Sequence, residues 1–216
     1  MIQGVLFDYS GTLFRFEPGA GWPSGDFDDA ARERLTHVLT SPTLSADHLP
    51  PDLADAWSRR DLDPEVHRTV YLASMAGSGV ALSDEQAERV YESLTDPAAW
   101  RPYPDTVEVL RDLRAREIPV AVVSNIAWDI RSVFERYGVA DLVTEWVLSY
   151  VEGVVKPDPK IFTIACQRLG VTPADAVMVG DSEEADGGAA SIGCRTVFVD
   201  PVPTATRPTA LRDAVA

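Results

Sequence analysis

Apolar positions recur along this chain in two rhythms, and the change between them divides it. Val5-Leu6-Phe7 is an unbroken apolar run that stops at Asp8 and breaks at Gly11-Thr12 before Leu13. Such a run suits a strand buried on both faces, with Asp8 delivered to the carboxyl edge of a sheet, where open α/β folds place their ligands. Taken alone, Asp8 has a second reading, as the cap of a following helix. Residues 14–25 hold Pro18, Gly19, Gly21, Pro23 and Gly25, loop chemistry that predicts a linker leaving the sheet.

From 27 to about 94 the apolar residues fall at helical spacing, interrupted by Pro42, Pro50, Pro51 and Pro64. The pattern predicts helices at 28–40, 46–60, 64–77 and 84–95, the last opened by the capping box Ser83-Asp84-Glu85-Gln86. No strand signal interrupts them, so a small all-α insert is expected. From Trp100 onward strands and helices alternate. Helices are predicted at 105–116, 128–137, 159–169 and 183–192, and strands at 118–123, 145–149, 176–179 and 196–199. A final short turn is expected at 209–215, after a tail rich in proline and threonine. This alternation implies a parallel sheet with right-handed crossovers.

Charge narrows the partners. The 216 residues carry 34 acids against 19 bases, a formal charge of -15, which argues against a nucleic-acid backbone as a general partner. Lysine occurs only at Lys156 and Lys160; the other bases are arginine. Cys166 and Cys194 are too few and too far apart in sequence for a disulfide framework or thiolate metal site, so both are expected as buried apolar residues in a reducing compartment. No basic leader with an apolar core and no apolar run of roughly 20 residues is present, so no membrane is expected as partner and the expected location is cytoplasmic. Nothing in the pattern selects an oligomeric state.

Four predicted strand ends or loops deliver polar residues to one edge: Asp8, Ser124-Asn125, Lys156-Pro157, and Gly180-Asp181-Ser182 with Asp186. Carboxylates joined by one hydroxyl and one ammonium are what phosphoryl transfer to an aspartate needs. Asp8 and Asp181 would hold a hard divalent cation such as Mg²⁺ through oxygen, while Ser124 and Lys156 bind the phosphoryl oxygens and Asp8 attacks.

In order and spacing these segments resemble the four motifs of the haloacid dehalogenase-like hydrolase superfamily: Phe7-Asp8-Tyr9-Ser10-Gly11-Thr12, Val122-Val123-Ser124-Asn125, Val155-Lys156-Pro157, and Val179-Gly180-Asp181-Ser182 with Asp186-Gly187-Gly188-Ala189. The resemblance implies a three-layer, Rossmann-like α/β core over 1–14 and 100–216 with an inserted α-helical cap over 15–99. It makes Asp8 nucleophile and metal ligand, the Ser10 carbonyl and Asp181 further ligands, and Asp186 a ligand through water or a partner of Lys156. The implied cofactor is Mg²⁺ and the implied substrate a small phosphorylated molecule, selected by the cap.

One position departs from the phosphatase pattern. Two residues after the nucleophile, where those enzymes carry an acid-base aspartate, stands Ser10, and loss of a general acid costs on the order of 10²–10⁴ in rate. Three readings stay open: a phosphohydrolase that is slow or prefers easy leaving groups; a metal-free 2-haloacid dehalogenase, against which Gly180-Asp181 argues; and a phosphometabolite-binding protein that lost turnover. The insert holds no lysine, which argues against the Schiff-base phosphonate chemistry of another branch.

Weaker candidates complete the set. Thr12, Asn125 and Arg15 are read as substrate contacts, with Asn125 also shaping the turn after Ser124. His37, His48 and His67, all in the insert, show no metal spacing and are expected as surface or satisfied histidines. Trp22, Trp57 and Trp100 are expected to pack.

Overall fold

The computed structural model describes residues 2–19, 21–23, 27–41, 49–207 and 209–216. β1 (Gly4–Phe7) is wholly buried, and its pairing runs one residue further, with Asp8 N donating to the Val179 carbonyl at 2.9 Å. The chain then turns into β2 (Phe14–Phe16), where a loop was expected. β2 pairs antiparallel with β3 (Trp100–Pro102), setting Phe14 opposite Pro102 and Phe16 opposite Trp100. A three-residue alternation is too short to stand out against the glycines and prolines that follow; it becomes a strand because its partner lies some 85 residues away. The ribbon therefore ties together the chain's departure from the sheet and its return.

Between the two strands lie the helices of the cap. α1 (Asp29–Thr40) is opened by Asp28, whose carboxylate accepts from Ala31 N at 2.7 Å. α2 (Ala54–Trp57) is followed by α3 (Pro64–Gly77), with Asp63 as cap and Pro64 at the first helical position, where its missing N–H costs nothing. α4 (Asp84–Glu92) carries the expected capping box. The helix expected at 46–60 falls partly outside the described residues, and the described part is broken into 3-10 turns, Pro51–Leu53 and Arg60–Leu62, around the four-residue α2. Pro50 and Pro51 supply no N–H for a longer ladder. α4 stops at Glu92 rather than 95, and the Leu94 carbonyl instead accepts the Trp100 indole N–H at 2.7 Å.

The remaining elements are α5 (Thr106–Ala115), β4 (Val120–Ser124), α6 (Arg131–Arg136), β5 (Glu145–Leu148), α7 (Ser149–Glu152), α8 (Pro159–Leu169), β6 (Ala176–Gly180), α9 (Glu183–Asp186), β7 (Arg195–Phe198) and α10 (Ala210–Ala214). Five strands form a parallel sheet in the order β5-β4-β1-β6-β7, which puts β1 at its centre. Strand side chains alternate between two cores. Val5, Phe7, Val120, Val122, Val177 and Val179 pack with Leu110 and Leu113 of α5, Phe134 of α6 and Leu211 of α10. Leu6, Ala121, Val123 and Met178 pack on the other face with Ile161, Phe162 and Ala165 of α8. The result is the expected three-layer α/β core, with a cap that is helical among the described residues.

One further expectation is corrected. The helix at 183–192 divides into α9 and a 3-10 stretch, Gly187–Ile192, because Gly187 and Gly188 favour helix poorly. Cys166 and Cys194 are buried as expected, but their 28-residue separation in sequence vanishes in the fold, where the sulfurs lie 3.9 Å apart.

Candidate active site

Because β1, β4 and β6 are adjacent and parallel, their carboxyl ends open on one edge. β1 runs into Asp8, β4 ends on Ser124, and β6 ends on Gly180 just before Asp181. Lys156 arrives on the loop between α7 and α8. Asn125 holds that loop in place by accepting from Lys156 N at 2.7 Å and donating to the Lys156 carbonyl at 3.0 Å. The buried ammonium of Lys156 then stands 2.6 Å from Asp8 Oδ1 and 2.6 Å from Asp186 Oδ1. Ser182 N donates to the other Asp186 oxygen at 3.0 Å.

Two glycines make the approach possible. Gly11 sits at φ +80, and a Cβ there would lie 2.4 Å from Asp181 Oδ2. A Cβ on Gly188 would meet the Pro157 carbonyl oxygen at 2.3 Å, so only glycine lets this segment pack beside Lys156.

Asp8, Asp181 and Asp186 each offer an oxygen, and the three atoms lie within 4.8 Å of one another. Three carboxylates against one ammonium leave a formal surplus of two negative charges when all are ionised. Burial, with this crowding of like charge, shifts the carboxyl pKa values. Burial pushes the Asp8 carboxyl up to about 6, although Lys156 pulls the other way. Burial, then Asp8 and Asp186, pushes Asp181 up to about 8. Burial opposes the charge on Lys156, yet Asp186 and Asp8 outweigh it and raise its pKa. An all-oxygen donor set with excess negative charge fits a hard divalent cation.

Above this cluster, core and cap line a cavity of about 740 Å³. Asp8, Ser10, Ser124, Asn125, Lys156, Asp181 and Asp186 all line it, so seven of the residues expected from sequence are brought together. Two are not. Thr12 is wholly buried and does not line the cavity; its hydroxyl lies 3.5 Å from Asp8 Oδ2, the outer limit of a hydrogen bond. Arg15 does not line it either; its guanidinium bonds the Pro201 carbonyl and pairs with Glu17 at 3.3 Å. His67 is a satisfied histidine, buried with Nδ1 2.9 Å from the Tyr91 hydroxyl, His37 is exposed, and His48 lies outside the described residues. Trp57 and Trp100 line the cavity and Trp22 does not.

Several wall residues carry no sequence signal. Arg60, Asp61 and Tyr71 come from the cap and Trp128 from the core, and the edge of Trp128 meets the His67 ring with centroids 5.2 Å apart. Arg207, from the proline-rich tail, reaches back under the nucleophile turn. It donates to the Gly11 carbonyl at 2.7 Å and to the Thr12 carbonyl, with its guanidinium over the Tyr103 ring.

The profile of the haloacid dehalogenase-like hydrolases matches residues 2–193. The chain belongs to this family. Among its relatives, a glyceraldehyde 3-phosphate phosphatase of Methanopyrus kandleri is 31% identical over 86% of this chain and 78% of that protein. A phosphoserine phosphatase of Thermus thermophilus is 35% identical over 88% of this chain and 71% of its own length. The solved L-2-haloacid dehalogenase of Xanthobacter autotrophicus shares the fold, with a TM-score of 0.68 at 24% identity over 92% of this chain and 78% of that one. As a haloacid dehalogenase-like protein with phosphatase relatives, the chain is a hydrolase. Among the described residues no helix is long and apolar enough to cross a membrane.

Proposed function

We propose that this chain is a Mg²⁺-dependent phosphohydrolase that acts on a small phosphorylated metabolite through an aspartyl-phosphate on Asp8. The observation that carries the reading is the juxtaposition of Asp8, Lys156, Asp181 and Asp186 at the floor of one cavity, with Ser124 beside them. The names of the Methanopyrus and Thermus relatives, one acting on glyceraldehyde 3-phosphate and one on phosphoserine, support the same substrate class.

Asp8, Asp181 and Asp186, with the carbonyl of Ser10, would hold the cation, which supplies positive charge against the phosphoryl oxygens when bound. Lys156 and the Ser124 hydroxyl bind those oxygens from the protein side. Asp8 attacks phosphorus, forming an acyl phosphate as the bond to the leaving oxygen breaks. Water then attacks the same phosphorus, releasing inorganic phosphate and restoring the Asp8 carboxylate. The cap, over residues 15–99 in this reading, selects the leaving group, and the core over 1–14 and 100–216 performs the transfer.

Hydrolysis of p-nitrophenyl phosphate and acetyl phosphate, with Mg²⁺ and with chelator, tests the reading. Turnover is expected only with Mg²⁺ and is expected to vanish in Asp8→Asn. Normal turnover by Asp8→Asn, or hydrolysis of a 2-haloacid with none of phosphate, would sink it.

A further inference from the structure

We propose that Asp61, on the cap wall of the cavity, is the general acid and base that this chain lacks at Ser10. The proposal rests on the phosphohydrolase reading and adds the residue that protonates the leaving group.

Attack by Asp8 in line with the breaking bond puts the leaving oxygen on the far side of phosphorus from Asp8. With Asp8 on the core floor, that side is the cap. Among the described residues, five carboxyl groups line the cavity: Asp8, Asp61, Asp181, Glu184 and Asp186. Three belong to the cluster around Lys156, and Glu184 is exposed. Among the described residues, Asp61 alone of these is a buried carboxyl on the cap side.

The other titratable groups on that wall serve poorly. His67 is held as neutral imidazole by burial and by Arg60, its pKa lowered to about 3, and Tyr71 is pushed up to about 12.

The position of Asp61 is set by the core. The buried hydroxyl of Ser149 donates to the Asp61 carbonyl at 2.6 Å and accepts from Ile126 N at 2.9 Å. Ile126 directly follows Ser124-Asn125, so a single hydroxyl links Asp61 to the loop that carries the phosphoryl-binding residues. Arg60 meets Asp61 Oδ2 at 3.2 Å, which orients the carboxyl. The charged and titratable groups that face it are Arg60, Lys156 and Tyr71. Burial raises its pKa above the ordinary carboxylate value, with Arg60 and then Lys156 opposing.

The step balances. As the phosphorus–oxygen bond to the leaving group breaks, the Asp61 carboxyl gives its proton to the departing oxygen and becomes carboxylate. When water attacks the aspartyl-phosphate, its hydroxyl goes to phosphorus and its proton returns to Asp61. Inorganic phosphate and the alcohol are the products, and both aspartates are restored.

The test is a series of substituted aryl phosphates, from p-nitrophenyl to phenyl, assayed with Mg²⁺ on wild type, Asp61→Asn and Asp61→Asn/Ser10→Asp. An acid matters most where the leaving group is a poor one. Wild-type kcat/KM is expected to depend weakly on the leaving group. Asp61→Asn is expected to lose on the order of 10²–10⁴ with phenyl phosphate but less than about tenfold with p-nitrophenyl phosphate. Adding Ser10→Asp is expected to recover part of the phenyl phosphate rate. A uniform loss across the series, or none, would overturn the role of Asp61. A steep dependence already in wild type would do the same without any variant. Failure of wild type to turn over even p-nitrophenyl phosphate would instead remove the phosphohydrolase reading beneath it.

Discussion

His67 shows how one side chain couples the cap to pH. Its ring is buried, stacked on Tyr71 with centroids 4.1 Å apart, and bonded to the Tyr91 hydroxyl. Folded, it stays neutral down to about 3, while in the unfolded chain it takes up a proton near pH 6.5. Between those values the unfolded state binds more protons, so stability is lost as pH falls through that window, by up to about 1.4 kcal/mol per unit. His67→Gln removes this contribution. Urea unfolding at several pH values is expected to give a shallower acid slope for the variant than for wild type; equal slopes would contradict the assignment. Asp8, Ser124, Lys156, Asp181 and Asp186 were legible at this scale because each sits beside an apolar run or a glycine or proline that marks its local geometry. Asp61 and Arg207 carried no such mark: one lies in a broken helical stretch, and the other's contacts with Gly11 and Thr12 span some 195 residues.

At the scale of elements, local signals succeeded where they were closed within a few residues. The box before α4 is complete: Ser83 Oγ accepts from Gln86 N at 3.2 Å, and the Gln86 side chain accepts from Ser83 N at 2.8 Å. Ser83→Ala is expected to cost about 1 kcal/mol, read as a shift of the urea midpoint with an unchanged slope. α8 ends at Leu169, as Gly170 predicts by adopting the left-handed conformation. The errors fell where an element depends on something distant. β2 needs β3, and the 3-10 turn at Arg60–Leu62 is held from the core by Ser149.

For the molecule as a whole, the cap's root and the sheet share one apolar core. Phe134 is fully buried, its ring 4.7 Å from Phe14 of the ribbon, 4.7 Å from Trp146 of β5 and 6.0 Å from Tyr9 beside the nucleophile, measured between centroids. Phe134→Ala would open a cavity at that junction, with an expected loss of about 3–5 kcal/mol in urea unfolding. Because Tyr9 adjoins Asp8, the same variant should also lower the rate of p-nitrophenyl phosphate hydrolysis. A loss below about 1 kcal/mol would mean that the two regions pack independently. The cavity likewise belongs to the whole molecule, since its floor comes from strand ends and its roof from the segment inserted between β2 and β3.

By itself the sequence determined the alternation of strands and helices, the helical insert and the carboxylate, hydroxyl and ammonium set at the sheet edge. These follow from periodicity, glycine and proline placement, and charge at strand ends, all of which act over a few residues. Tertiary structure decided the ribbon that roots the cap, the departure of Arg15 from the site, the clamp of Arg207 on the nucleophile turn and the presence of Asp61 over the cavity. Each of these depends on which distant surfaces meet, and that is set by packing of the assembled layers rather than by any local pattern.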